Sequence, residues 1–311
     1  MISRVTGQVT WTLRTAEGNK LLETDTTKPQ NVQPRPLAMD AIYCPTLNDL
    51  VAEVSKLENA FPKDSQGIGP ELLFRGQGDS GWSLETTLER AGREQMSLSA
   101  YYRLAVHRVR PAVETFIDTS WEIPNYSVEL EKSFRNDPEL FTSLAFPSPG
   151  FYQYLIYLRH HGFPSPLLDW TSSIYIAVFF AFRNISTSEK RSIYVYCERP
   201  HGIKGWSVSA PAMRAIGSYI AAHPRHYRQR SDYTMCMAFD QNGGGWTFRQ
   251  HDLVFGGRGR QDYLWKFDLP STERMKILGW FDEFNLNAFS LFDSNEALLE
   301  AVWLREHHHE P

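Results

Sequence analysis

Cysteine is scarce in this 311-residue chain: Cys44, Cys197 and Cys236 are the only three, each inside an apolar or strand-like run and none in a CxxC pair. This pattern argues against a disulfide scaffold and a thiolate metal site, and it suits a reducing compartment. Long apolar runs are missing too. The longest, Ile174 to Phe182, falls well short of the roughly 20 residues a membrane-spanning helix needs, and the amino-terminal MISRVTGQVTWTLR holds no apolar signal core. A cytoplasmic protein without membrane partners is the expectation. Neither sign of charge dominates: the formal net charge is -4, which gives no support to wholesale binding of nucleic acid or a membrane surface. No internal repeat is visible.

What is present is an ordinary globular composition, 42% hydrophobic and 14% aromatic, with nine Trp and nineteen Phe to fill a core of large flat side chains. Residues 1–37 begin with a strand-like alternation and pass into the polar, proline-bearing TDTTKPQNVQPRP, read as an extension and linker. Residues 38–306 read as the main domain and 307–311 as a tail. Within the domain, Ala41 to Tyr43 suggests a strand. Thr46 caps a helix through Asn59, with Leu47, Leu50, Val54 and Leu57 at helical spacing. Leu72 to Arg75 reads as a strand, and Ser97 to Thr119 as a helix kinked or divided at Pro111. Residues 122–150 read as a connection. Phe151 to His161 is a helix stopped by Gly162, and Ser173 to Asn184 is a buried helix. Further strands are expected at Ile193–Cys197, Tyr233–Phe239 and Tyr263–Leu269, with closing helices at Thr272–Phe284 and Asn295–Glu306. Strands mixed irregularly with helices, without a βαβ rhythm, predict an α+β fold with a mixed or antiparallel sheet.

Chemistry concentrates where a rigid polar turn meets an apolar helix, in RHHGFPSPLLDWTSSIYIAVFFAF from Arg159 to Phe182. Gly162, Pro164 and Pro166 stiffen the turn, and a helix cap is expected at Thr171 or Ser172. Asp169 sits among apolar neighbours and must find partners, as a structural clamp or as a functional group. Trp170 offers an indole face for a planar ring, or a core side chain. Arg75 ends a strand and is followed at once by Gly76-Gln77-Gly78-Asp79-Ser80-Gly81. Its guanidinium fork suits a pyrophosphate or carboxylate, and Gly76 permits close backbone approach; the alternative is an ion pair with Asp169 that holds the fold. The glycine loop lacks the GKS or GKT of a phosphate-binding loop. Arg225, Arg228 and Arg230 form a basic, aromatic run that suits phosphate or a solvated loop. Gln229 beside it is a donor and acceptor, not a base. His160 and His161 lack HxxxH spacing, so no metal is expected. Ser165 or Ser172 with His160 lacks the GxSxG elbow of a hydrolase.

The stretch His160 to Thr171 resembles the HxGxPxxLLDWT signature of the FRG domain family, a bacterial and phage-associated group named for a Phe-Arg-Gly motif. Leu73-Phe74-Arg75-Gly76-Gln77 carries that motif and is followed by Trp82, Leu84, Leu88 and Arg90 in the family order. Arg225 to Gln229 with Tyr233-Thr234 resembles a third block, and Ser290-Leu291-Phe292-Asp293 the closing one. The chain departs from the pattern at Arg159-His160-His161-Gly162 and Pro164-Ser165-Pro166, where the family has Gln-His-Tyr-Gly and Pro-Thr-Arg. The resemblance implies one pocket for a nucleotide-like ligand and an effector role in phage defence or a toxin system. The order of the blocks is also analogous to that of ADP-ribosyltransferases, which implies NAD as cofactor. On that analogy Arg75, Asp169 and Gln229 are catalytic. Arg75 and Gly76 hold pyrophosphate, Thr171 or Ser172 the ribose, Trp170 the ring, and His160 and Gln229 complete the pocket. The transferase Glu is replaced by Gln229, which leaves Asp169 or Asp232 as the acid. A non-catalytic ligand sensor and a nucleic-acid-binding module are the rival readings; the acceptor, protein or nucleic acid, is left open.

Overall fold

The computed structural model describes residues 41–62, 69–143, 145–201, 204–205, 210–242, 244–255 and 261–307; the expected strand and linker in 1–37 lie outside them. Among these residues eight strands form: β1 (Ile42–Tyr43), β2 (Leu72–Gln77), β3 (Leu168–Thr171), β4 (Lys190–Glu198), β5 (Ala212–Ala215), β6 (Ser231–Asp240), β7 (Gly245–Phe248) and β8 (Asp262–Pro270). The helices are α1 (Leu47–Ala60), α2 (Thr87–Arg90), α3 (Leu98–Tyr102), α4 (Arg110–Ile117), α5 (Val128–Asn136), α6 (Pro149–His160), α7 (Ile174–Arg183), α8 (Pro224–Arg228), α9 (Arg274–Glu283), α10 (Ala288–Phe292) and α11 (Asn295–His307). The strands form one sheet in the order β1-β8-β4-β2-β3-β6-β5, with β7 also paired to β6. All ladders are antiparallel except β1 with β8. The α+β class and the mixed sheet expected from the sequence are what forms.

Local signals explain most elements. Thr46 accepts from the Asp49 amide while the Asp49 carboxylate accepts from Thr46, a capping box that starts α1. The buried Leu47, Leu50, Val54 and Leu57 then dock α1 on the sheet, each contributing about 1.5–3 kcal/mol of transfer free energy. Gly162 closes α6 at φ +81°, a conformation natural only to glycine. The helical stretch beyond Ser97 is divided as expected, but by a π-helical segment at Arg103–Val109 before Pro111 starts α4.

Four features differ from the sequence reading. The polar turn before the apolar helix is a strand, β3: Leu168 and Trp170 pack on one face while Asp169 and Thr171 point to the other. The helix cap is Ser173, whose hydroxyl accepts from the Ile176 amide, rather than Thr171 or Ser172, because the strand runs through Thr171. The basic run is a short helix, α8, with Pro224 in its first turn. Within 122–150, read as a connection, Ser127 caps α5.

Register places the two helix layers on the same side of the sheet. Phe74 pairs with Thr171 and Asp169 with Tyr233, and alternation puts Thr171 and Asp169 on one face. Phe74 belongs to the cluster covered by α1, α7 and α9, and Tyr233 to the cluster covered by α3 and α6. Leu73, Leu168 and Trp170 lie on the opposite face with Tyr194 and Tyr196. Asp169 therefore sits at the seam between the two layers.

Helix α7 crosses β2 at Gly76. A Cβ there would stand 1.8 Å from the Ala177 carbonyl oxygen and 2.7 Å from the Ala181 amide nitrogen. Both are backbone atoms and cannot step aside. Gly76→Ala is expected to lower stability by about 1–3 kcal/mol, the usual cost of overpacking, read as a lower urea midpoint; an unchanged midpoint would remove this role.

Candidate functional site

Strands β2 and β3 share a single register pair, Phe74 with Thr171, and then part. Arg75 bridges the opening: its Nη1 donates to the Asp169 main-chain carbonyl at 2.7 Å, where a continued ladder would have used a backbone amide. A cavity of about 1110 Å³ occupies this split and the seam beside it. Its wall combines β2 and its following loop, the end of α6, β3, the Ala177 and Phe180 face of α7, and α8.

The Asp169 carboxylate is taken by Arg159 on α6, through Nε to Oδ1 at 2.9 Å and Nη2 to Oδ2 at 2.5 Å. Burial alone would push the Asp169 carboxyl up, but Arg159 and then Arg75 outweigh it and hold it below the usual range. The Asp169 side chain keeps 37% of its surface exposed, on the wall of the cavity. Arg75 is pulled down to about 10, first by burial, with Arg159 and Arg90 also lowering it against the opposing Asp169. Its Nε is buried with no hydrogen-bond partner among the described residues. Arg90 lines the same cavity. Arg159 and Arg75 thus both act on the Asp169 carboxylate while Arg90 acts on Arg75, and the wall as a whole carries more guanidinium groups than the carboxylates of Asp79, Glu85 and Asp169 can match.

The convergence expected from the sequence is present: Arg75, Gly76, His160, Asp169, Trp170, Thr171 and Gln229 all border this cavity. Ser172 does not; its amide donates to the Arg230 carbonyl as β3 ends, which carries it past the wall. Trp170 borders it without offering its ring. The indole lies on the opposite face of β3, 3% exposed, and donates to the Thr234 hydroxyl at 2.8 Å. The Thr171 hydroxyl donates to the Gln229 carbonyl at 2.7 Å, and the Gln229 amide to the Leu291 carbonyl at 3.2 Å. The clamp suggested for Arg75 is made with the Asp169 backbone, while Arg159 holds the carboxylate. Gly76 is fixed by α7 and not by ligand approach. Asp232, the other candidate acid, stands outside the cavity. Burial raises it to about 7, and it accepts from the Gly217 and Tyr233 amides.

The basic run does not form a stripe. Arg225 faces the cavity and donates to the Phe292 carbonyl, whereas Arg228 turns outward to Asp293 at 2.7 Å. Through these bonds the third and fourth sequence blocks close one side of the cavity together. Sequence reasoning assigned no chemistry to Gln77, Trp82 or Arg90, although all three lie in the quoted blocks and all three line the wall.

His160 donates or accepts at the Tyr233 hydroxyl, 3.0 Å away. It is pushed down to about 4, chiefly by burial, with His223, Arg159 and Arg225 adding to the effect against Asp169. Between its ordinary pKa near 6.5 and about 4 the unfolded chain takes up a proton that the folded protein refuses, so stability is full above this window and falls as pH drops through it. His161, His223, His226 and His251 are lowered as well, so the slope belongs to several rings. Urea midpoints from pH 7 to 4 are expected to fall less steeply in His160→Gln; a slope identical to that of the unaltered protein would contradict this assignment.

Among the described residues no helix is long and apolar enough to cross a membrane. No curated protein and no solved structure matches the chain. Residues 70–190 do match the FRG domain family, a shorter span than the 38–306 expected. That segment includes β2, β3, α6 and α7, while β4, β6 and β8, which complete the sheet, lie almost wholly past it. It supplies Arg75, Arg90, Arg159 and Asp169 to the cavity, and the chain carries an FRG domain.

Proposed function

We propose that the cavity is a recognition site for a small anionic, nucleotide-like ligand. The observation that carries this reading is the excess of guanidinium groups on the wall of a large cavity: Arg75, Arg90, Arg159, Arg191 and Arg225 line it against the carboxylates of Asp79, Glu85 and Asp169, the last already held by Arg159. Arginine forks bind phosphate oxygens in pairs, and an anion there restores the charge balance that burial makes costly. The volume, about 1110 Å³, is ample for a nucleotide.

The geometry favours binding over ADP-ribosyl transfer. Transfer from NAD needs a carboxylate to meet positive charge developing on the ribose carbon. The Asp169 carboxylate is engaged by Arg159, the Gln229 amide by Leu291 and the Thr171 hydroxyl by Gln229. The groups suited to the reaction are thus satisfied by the protein itself. An effector role in phage defence stays part of the proposal only through the family resemblance.

Calorimetric titration at low salt is expected to show nucleotide binding that weakens as salt rises, and Arg75→Ala to weaken it at least tenfold, since charge-assisted bonds contribute about 1.5–3 kcal/mol. Absence of heat with every nucleotide and with pyrophosphate would remove the reading. Labelled NAD with cell lysate separates the two versions: retained binding without label transfer is expected, and transferred label would establish an enzyme.

A further inference from the structure

Two residues on the same wall point to the kind of base this ligand carries. Gln77 closes β2 two positions after Arg75 and therefore faces the same side, about 7 Å along the strand. Only 5% of it is exposed, and it lines the cavity. Its Nε2 donates to the Ser83 carbonyl at 3.0 Å, which fixes the orientation of the amide because only the NH2 end can face a carbonyl. Its Oε1 is then a buried acceptor without a partner among the described residues, two positions along the strand from the unpartnered Nε donor of Arg75. Buried polar groups are normally satisfied, so an orphan donor and an orphan acceptor on one cavity wall mark what is missing: a molecule that accepts at one end and donates at the other.

Trp82 supplies the third requirement. It lines the cavity yet is 57% exposed. Its backbone is pinned, the amide to the Asp79 carbonyl at 3.3 Å and the carbonyl to the Tyr194 hydroxyl at 3.2 Å, and the loop is held further by the Gly81 amide on Asp79 at 2.8 Å. The ring stands over Gly78, where a Cβ would come within 3.9 Å of it. A large aromatic face left open on a tethered loop is a platform for a planar ring, and an indole overlaps best with a two-ring base.

Resting on the anion-site reading above, we infer that the ligand is an aminopurine nucleotide, with the ring on Trp82, the exocyclic amine donating to Gln77 Oε1, and the phosphate at the arginine cluster. The anion alone identifies only the charged end. Gln77 sets the preference for an amine because an unpaired buried acceptor penalises a base without one.

Calorimetry with AMP and GMP against purine riboside 5′-monophosphate and IMP tests this, since the second pair keeps ring and phosphate and lacks the amine. At least one amine-bearing nucleotide is expected to bind tenfold or more tightly than its counterpart. Gln77→Met should abolish that preference. Trp82→Ala, at an exposed position that leaves the fold intact, should weaken both members about tenfold and leave pyrophosphate binding unchanged. Equal affinity within both pairs, or an unaltered AMP and GMP affinity in Trp82→Ala, overturns the inference while pyrophosphate binding still upholds the anion site. Loss of pyrophosphate binding as well as nucleotide binding would instead bring down the underlying reading.

Discussion

The architecture turns on the place where β2 and β3 part. A sheet that ran on past Phe74 and Thr171 would have closed the space between the two helix layers. Arg75 reaches across to the Asp169 carbonyl, and Arg159 reaches from α6 to the Asp169 carboxylate. One residue of β3 is thereby held by both its backbone and its side chain, through charge-assisted bonds about twice as strong as neutral ones. The opening persists because its polar edges are satisfied by arginines rather than by a ladder.

That solution has an electrostatic consequence. Two arginines are needed to hold one aspartate, and Arg90 adds a third guanidinium nearby. In the same wall, Gly76 admits α7 against β2, so the helix brings Ala177 and Phe180 to the cavity without blocking it. Packing and charge act together here: the close helix crossing shapes the space, and the surplus of guanidinium groups on its wall is the ground for the anion site proposed above.

Much of this was legible in the sequence. The α+β class followed from the irregular order of strands and helices, α1 from its cap and apolar spacing, and the end of α6 from Gly162. The meeting of Arg75, Asp169 and Gln229 followed from the family blocks. What was not legible has physical causes. β3 is four residues long and bounded by prolines and serines, so its alternation is too brief to register against turn signals. Whether Trp170 faced ligand or core depended on its pairing with β6, a long-range contact. The partner of Asp169 was hidden for the same reason: ten residues separate it from Arg159, and only the turn between α6 and β3 brings them together. The unpartnered atoms of Arg75 and Gln77 are properties of packing, which no residue pattern encodes.

The central claim is that the unmatched guanidinium of Arg75 is the anion contact. Nitrogen NMR of the Arg75 Nε–H group, followed during nucleotide titration, tests it most directly, because burial slows exchange of that proton and makes it observable. The account predicts that the Arg75 resonance shifts progressively and saturates together with the calorimetric binding curve. A resonance that stays fixed while nucleotide binds would place the contact elsewhere and contradict the account.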